Sequence, residues 1–317
     1  KKKFDDIRYG RAGKIEVMRS LQILSEFLSK YYNKSVILLI DEYDVPMARA
    51  TSNGYYKEML EIMKGFMQAL KDNQCIKLAV ITGCLKIAKE SIFTGTNNFV
   101  SNTITSSRLN EYYGFVQNEV DRILEDAEIK GKGDIMKKWY DGYHFGDVDV
   151  YCPWDVMCYV DDLQKNPNAK PDEYWKDTSD NAIIRSFIDY AGASITKKLE
   201  TLMNGGYIIQ RVDENLTYDY LHSSEENLWS LMYLTGYLTQ VRDYKNDDDW
   251  QDNMVALKIP NLEIKQIFET EVSKWFEDSS KKWNRTELFS SVWSEDCDKI
   301  TKEVSALLRR TISYHDY

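Results

Sequence analysis

Asp41 and Glu42 close an uninterrupted apolar run, Val36-Ile37-Leu38-Leu39-Ile40, and lead into Tyr43 and Asp44. Five consecutive Val, Ile and Leu residues predict a strand buried on both faces, as in a parallel sheet covered by helices. Open α/β sheets take their ligands outside the carboxyl ends of the strands. The two acids therefore fall where a ligand would sit. An aspartate there can hold Mg²⁺, usually through water, because that ion takes few protein ligands. A glutamate beside it can orient the water that attacks a terminal phosphate. The alternative is a solvated Asp-Glu pair that does no more than cap the next element.

A second strand-like run, Ile76-Lys77-Leu78-Ala79-Val80-Ile81, ends in Thr82-Gly83. If it lies beside the first, the Thr82 hydroxyl becomes a candidate sensor of the γ-phosphate. Otherwise Thr-Gly is an ordinary turn. Lys86 and Lys89 follow, placed to reach a phosphate or to sit in solvent. Arg108 is the arginine placed like a phosphate finger, with a structural ion pair as the other reading.

Helical periodicity supplies the elements that would carry these groups. Val17, Leu21, Leu24, Phe27, Leu28 and Tyr31 predict an amphipathic helix over 14–32, packed on the sheet. A Met-rich helix is expected over 55–71, a loose strand over 99–106 and a helix over 118–129. Tyr9-Gly10-Arg11-Ala12-Gly13-Lys14 imitates a phosphate loop. Its glycines are too close, Ile15 replaces Ser or Thr, and no strand precedes it, so it predicts a polar turn. The aromatic stretch Trp139–Gly146 predicts a structural corner, with His144 paired to Asp141 or Asp147 as a weaker catalytic option.

Beyond the corner come a helix from Tyr151 to about Asp162, an Asn/Pro-rich loop at 166–171, and a helical pattern from about Asp180 to Leu202. A strand at 207–212, a helix at 228–234, strands at 237–241 and 254–259, and a final helix through Phe276 follow. Helices followed by a small hairpin suggest a winged-helix-like unit. The fold class expected is α/β followed by mostly α, divided at residues 1–146 and 147–317.

Composition narrows the choices. The chain has 317 residues with 41 Lys and Arg against 51 Asp and Glu, a formal net charge of −10. Bulk charge gives nucleic-acid binding no support, and the expected hairpin turn Asn246-Asp247-Asp248-Asp249 has the wrong sign for a DNA wing. Five scattered cysteines without CxxC spacing, and three histidines, argue against structural zinc and for reduced thiols in a cytoplasm. No apolar run reaches membrane-spanning length.

Five segments occur in order: VILLIDEYDVPM (36–47), AVITGCLKIAKESIFT (79–94), NEYYGF (110–115), WYDGYHF (139–145) and YCPWDV (151–156). Together they resemble the AAA-ATPase-like proteins of anaerobic bacteria, which often carry a C-terminal PD-(D/E)XK nuclease-like domain. The resemblance implies the distal part of a P-loop NTPase sheet, with ATP and Mg²⁺ as cofactors and an unidentified protein partner. It implies that Asp41 is the Mg²⁺ group, Glu42 the water-orienting group, Thr82 a sensor, and Arg108 and Lys86 secondary phosphate contacts. In that family the P-loop lies upstream, so this stretch by itself is expected to hydrolyse ATP poorly. An inactive scaffold, or nucleic-acid binding through the winged-helix-like part, are the alternatives. Pro171-Asp172 and Glu263-Ile264-Lys265 superficially offer PD…ExK, but a loop and a helix start are the wrong supports for converging carboxylates.

Overall fold

The computed structural model describes residues 2–71, 73–85, 99–175, 193–216, 224–242, 244, 254–282, 294, 296–302 and 305. The N-terminal region runs α1 (Lys2–Arg8), α2 (Lys14–Met18), α3 (Ser20–Tyr32), β1 (Val36–Ile40), α4 (Val45–Ser52), α5 (Tyr56–Met67) and β2 (Ile76–Ile81). The helix expected over 14–32 is broken at Arg19. Its first piece lies on α5, where Met18 fits so tightly over Gly65 that a Cβ there would fall 2.4 Å from the Met18 methyl.

β1 and β2 pair in parallel, with Ile37 opposite Leu78, Leu39 opposite Val80 and Ile40 opposite Ile81. Ile40 and Ile81 pack into a core with Met47 of α4 and Met63 and Met67 of α5. The expectation of a strand buried on both faces is not met. Ile37, Leu39, Leu78 and Val80 are 59, 72, 52 and 46 % exposed. Two strands have helices on one side here, and among the described residues nothing covers the other.

The phosphate-loop imitation at 9–14 is a turn. The N–H groups of Arg11 and Ala12 are both spent on the carbonyl of Asp6, and Lys14 pairs with Glu61. Residues 99–106 form no strand. They run as coil and turn to Arg108 and Asn110, whose side-chain amide donates to Phe145 O and Asp147.

Next come α6 (Gln117–Asp126), α7 (Gly133–Tyr140), the hairpin β3 (Tyr143–Phe145) and β4 (Val148–Val150), and α8 (Pro153–Lys165). The expected division at residue 146 falls in the turn of this hairpin. Tyr140 and Tyr159 anchor one core with Val120, Met136 and Val156. Tyr143 and Val150 belong to another, built on Trp229, Met232, Tyr237 and Phe268. The aromatic corner is thus the joint between two cores. His144 pairs with Asp149 at 3.0 Å, not with Asp141 or Asp147.

The last region holds α9 (Ala193–Met203), β5 (Ile208–Arg211), α10 (Glu225–Leu234), β6 (Thr239–Gln240), β7 (Met254–Lys258) and α11 (Leu262–Lys282). Its antiparallel sheet has the order β5-β7-β6. The acidic turn at 246–249 lies outside the described residues.

Candidate functional site

The site is built by parallel pairing. Because β1 and β2 run in register to Ile40 and Ile81, their next residues, Asp41 and Thr82, emerge side by side. The ladder continues one step past the strands: Thr82 N–H donates to Ile40 O at 2.9 Å, and Tyr43 N–H donates to Thr82 O at 3.0 Å. The Thr82 hydroxyl donates to Asp41 Oδ1, and so does the Glu42 N–H, at 3.1 Å. Both local donors use one oxygen, Oδ1, of an exposed side chain.

Glu42 has φ of +51°, a left-handed conformation that costs a residue bearing a Cβ about 1 kcal/mol or more. Its side chain is exposed beside Asp41. Strain of this kind collects at sites where side-chain direction matters.

Asp44 is the residue that sequence reasoning passed over. It is 1 % exposed. Its carboxylate accepts the N–H of Leu85 at 2.9 Å and that of Cys84 at 3.2 Å, fixing the segment after Thr82. Tyr43 adds a hydroxyl bond of 2.6 Å to Leu85 O. Gly83 is required between them: a Cβ there would lie 2.5 Å from both Asp44 Oδ1 and the Tyr43 ring. The available signal was Asp44 standing three residues after Asp41, beyond a strand end, where a buried acid must find donors. Desolvation, followed by the charges of Asp44 and Glu42, pushes the Cys84 thiol up to about 11, although its side chain still reaches solvent.

Leu85 then carries the loop away from the sheet. It is buried against Leu216 and Leu231, the latter on α10. The segment Thr82–Leu85 therefore touches the paired acids at one end and the C-terminal region at the other.

The other expected contacts are not assembled. Arg108 is exposed, and among the described residues no hydrogen bond or ion pair joins it to Asp41, Glu42 or Thr82. Lys86 lies outside the described residues. Among the described residues, no group of three or more His, Cys, Asp or Glu side chains is placed to hold a metal ion. A single exposed carboxylate such as Asp41 fits Mg²⁺ as one member of a shell completed by waters and substrate phosphates.

Residues 2–93 match a family model described as AAA-ATPase-like, predicted AAA-ATPase. The match contains Asp41, Glu42 and Thr82, and ends before Arg108. A curated relative, the uncharacterized protein in vnfD 5'region of Azotobacter chroococcum mcd 1, is 26% identical over 235 residues. That alignment covers 73% of this chain and 41% of the relative, so the chain spans about two fifths of the relative's length. No solved structure matches. Among the described residues no helix is long and apolar enough to cross a membrane.

Proposed function

We propose that the carboxyl ends of β1 and β2 form the Mg²⁺-binding and water-orienting half of an ATP-hydrolysing site, with the phosphate cradle supplied from outside the described residues. One observation carries this: Asp41 and Thr82 lie side by side at the ends of adjacent parallel strands, joined by a hydrogen bond that occupies a single carboxylate oxygen.

Asp41 Oδ2 would hold a water of hydrated Mg²⁺, while the Thr82 hydroxyl and the Glu42 N–H fix the carboxylate plane through Oδ1. When bound, the ion would neutralise charge on the β- and γ-phosphates. Glu42, held in place by its left-handed backbone, would accept a hydrogen bond from the attacking water and orient it. Thr82 can give its hydroxyl to Asp41 or to a γ-phosphate oxygen. Changing that partner would pull on Gly83–Leu85, and Leu85 would pass the movement to Leu231 and α10. That is a route from hydrolysis to a conformational switch. The helices around the sheet β5-β7-β6 would be the moving part. The strand order, with the first strand beside the last, is what supports a winged-helix-like lid there.

The bare face of β1 and β2 supports the same reading, since parallel strands are normally covered on both sides. Further strands or helices of a longer polypeptide would cover it.

The test is Mg-ATP binding and turnover by a longer protein that includes an upstream phosphate loop, compared with its Asp41→Asn and Glu42→Gln variants. Retained binding with lost turnover in Glu42→Gln, and a weaker Mg²⁺ requirement in Asp41→Asn, is the expected result. A longer wild type that neither binds nor hydrolyses ATP would make the pair structural and favour a scaffold role.

A further inference from the structure

Far from the strand ends, two acids meet in the interior. Asp155 lies in the first turn of α8 and Glu263 in the first turn of α11, and both are 0 % exposed. Glu263 Oε1 accepts the Trp175 N–H at 2.8 Å. Among the described residues, Asp155 Oδ1, Asp155 Oδ2 and Glu263 Oε2 have no nitrogen or oxygen donor while both groups are carboxylates, and the weak thiol donor of Cys152 is what Asp155 has beside it. Buried carboxylate oxygens with so little to accept from, and with like charges facing, make an arrangement that proteins avoid. A protonated carboxyl is a donor as well as an acceptor, so one proton turns the repulsion into a hydrogen bond.

We propose that Asp155 and Glu263 share one proton between the first turns of α8 and α11, forming a pH-sensitive clasp between elements of the two hydrophobic cores. α8 contributes Val156 and Tyr159 to one core, and α11 contributes Ile264, Ile267 and Phe268 to the other. Gly142, with φ of +101°, approaches so near that a Cβ on it would fall 2.3 Å from Pro260 O, just before α11. The single negative charge left on the pair lies between two helix N-termini, which favour it.

Among the described residues, the groups facing the pair supply no cation. From α8 they are Cys152 and Cys158, from α7 and β3 Tyr140 and Tyr143, and from the segment before Trp175, Glu173. Burial raises both thiols and both phenols above their ordinary values, which favours their neutral forms. Burial, then the facing Asp155 charge, pushes Glu263 up to about 9. Burial also raises Asp155, against the hydrogen bonds from Glu263 and from the Cys152 thiol.

The sign follows. From the ordinary carboxylate range up to about pH 9 the folded chain keeps a proton that the unfolded chain has lost, so the clasp loses stability as pH rises through that window. Urea unfolding of the wild type, Glu263→Gln and Asp155→Asn from pH 5 to pH 9 tests it. The expected result is that the wild-type unfolding constant gains about tenfold per pH unit over that of Glu263→Gln between about pH 5 and 8, the slope of one proton. Parallel profiles would overturn the proposal. If neither variant folds, infrared spectroscopy of the folded wild type decides. A protonated-carboxyl stretch lost between pH 7 and pH 10 supports the clasp, and no such loss overturns it. Stabilisation of the wild type by Ca²⁺ or Mg²⁺ that Asp155→Asn abolishes would mark a cation site instead and overturn the shared proton.

Discussion

Asp44 receives the backbone N–H of Leu85 at 2.9 Å across the ends of two parallel strands. This bond, with those from Cys84, satisfies a carboxylate that is almost wholly removed from water. It fixes the segment that follows Thr82. Support for the candidate site therefore comes from a residue with no chemistry of its own to perform. Asp44→Asn leaves one acceptor and sets an amide donor against backbone donors. The expected loss is roughly 2–3 kcal/mol in urea unfolding, the worth of hydrogen bonds to a charged group. A change within experimental error would show that the loop is held elsewhere.

Glu42 is strained where glycine would not be. Glu42→Gly relieves the left-handed backbone and is expected to leave stability unchanged or raise it by about 1 kcal/mol, offset by the entropy glycine adds to the unfolded chain. In a longer, ATP-hydrolysing protein the same change removes turnover. Stability held while turnover falls marks a functional side chain. Loss of both would make Glu42 structural.

Leu85 links the strand-end loop to Leu231. Truncation to alanine should cost about 2–5 kcal/mol by the cavity it leaves. Its more telling readout is protease cutting in α10 with and without Mg-ATP, again in the longer protein. The wild type should show a nucleotide-dependent difference that Leu85→Ala loses. An unchanged difference would break the proposed route.

Cys84 should be a sluggish thiol despite its exposure. With its titration pushed up to about 11, the thiolate fraction near pH 8 is about a hundredfold below that of an ordinary cysteine, and alkylation slows accordingly. Glu42→Gln removes one of the charges responsible, so labelling should quicken modestly. Fast labelling of the wild type would contradict the acidic surroundings described here.

Gly83→Ala tests the packing of the same loop. Its Cβ would collide with the Asp44 carboxylate and the Tyr43 ring, neither of which can retreat without giving up a hydrogen bond. A cost of about 1–3 kcal/mol is expected in thermal or urea unfolding. A neutral outcome would show that the loop is looser than the bonds of Asp44 imply.

The sequence carried the strand ends well, because an apolar run ending in acids is a local pattern and parallel pairing needs only two such runs. Asp41 and Thr82 were legible for that reason. Asp44 was not, since its role depends on a loop that lies 41 residues further on and is spent on backbone N–H groups that carry no side-chain signature. Arg108 follows an expected strand in the sequence, but residues 99–106 make none, and among the described residues the exposed arginine joins nothing at the site. His144 was placed near Asp141 and Asp147, yet hairpin pairing sets it opposite Asp149. The Asp155–Glu263 contact was invisible, because Asp155 reads as a helix-start acid and Glu263 as part of a false ExK pattern.

The pairing of β1 with β2 has one more consequence. A strand with a polar and an apolar side resists slipping, since a shift by one residue turns its greasy side to water. β1 has no polar side: Ile37 and Leu39 point one way, Leu38 and Ile40 the other. Hydrophobicity therefore cannot choose its alignment with β2. The choice falls to the polar contacts just past the strand ends, Thr82 with Asp41, Tyr43 with Thr82 and Leu85 with Asp44. Asp41 and Thr82, proposed for chemistry, are thus also among the ratchet teeth that stop one strand from sliding along the other.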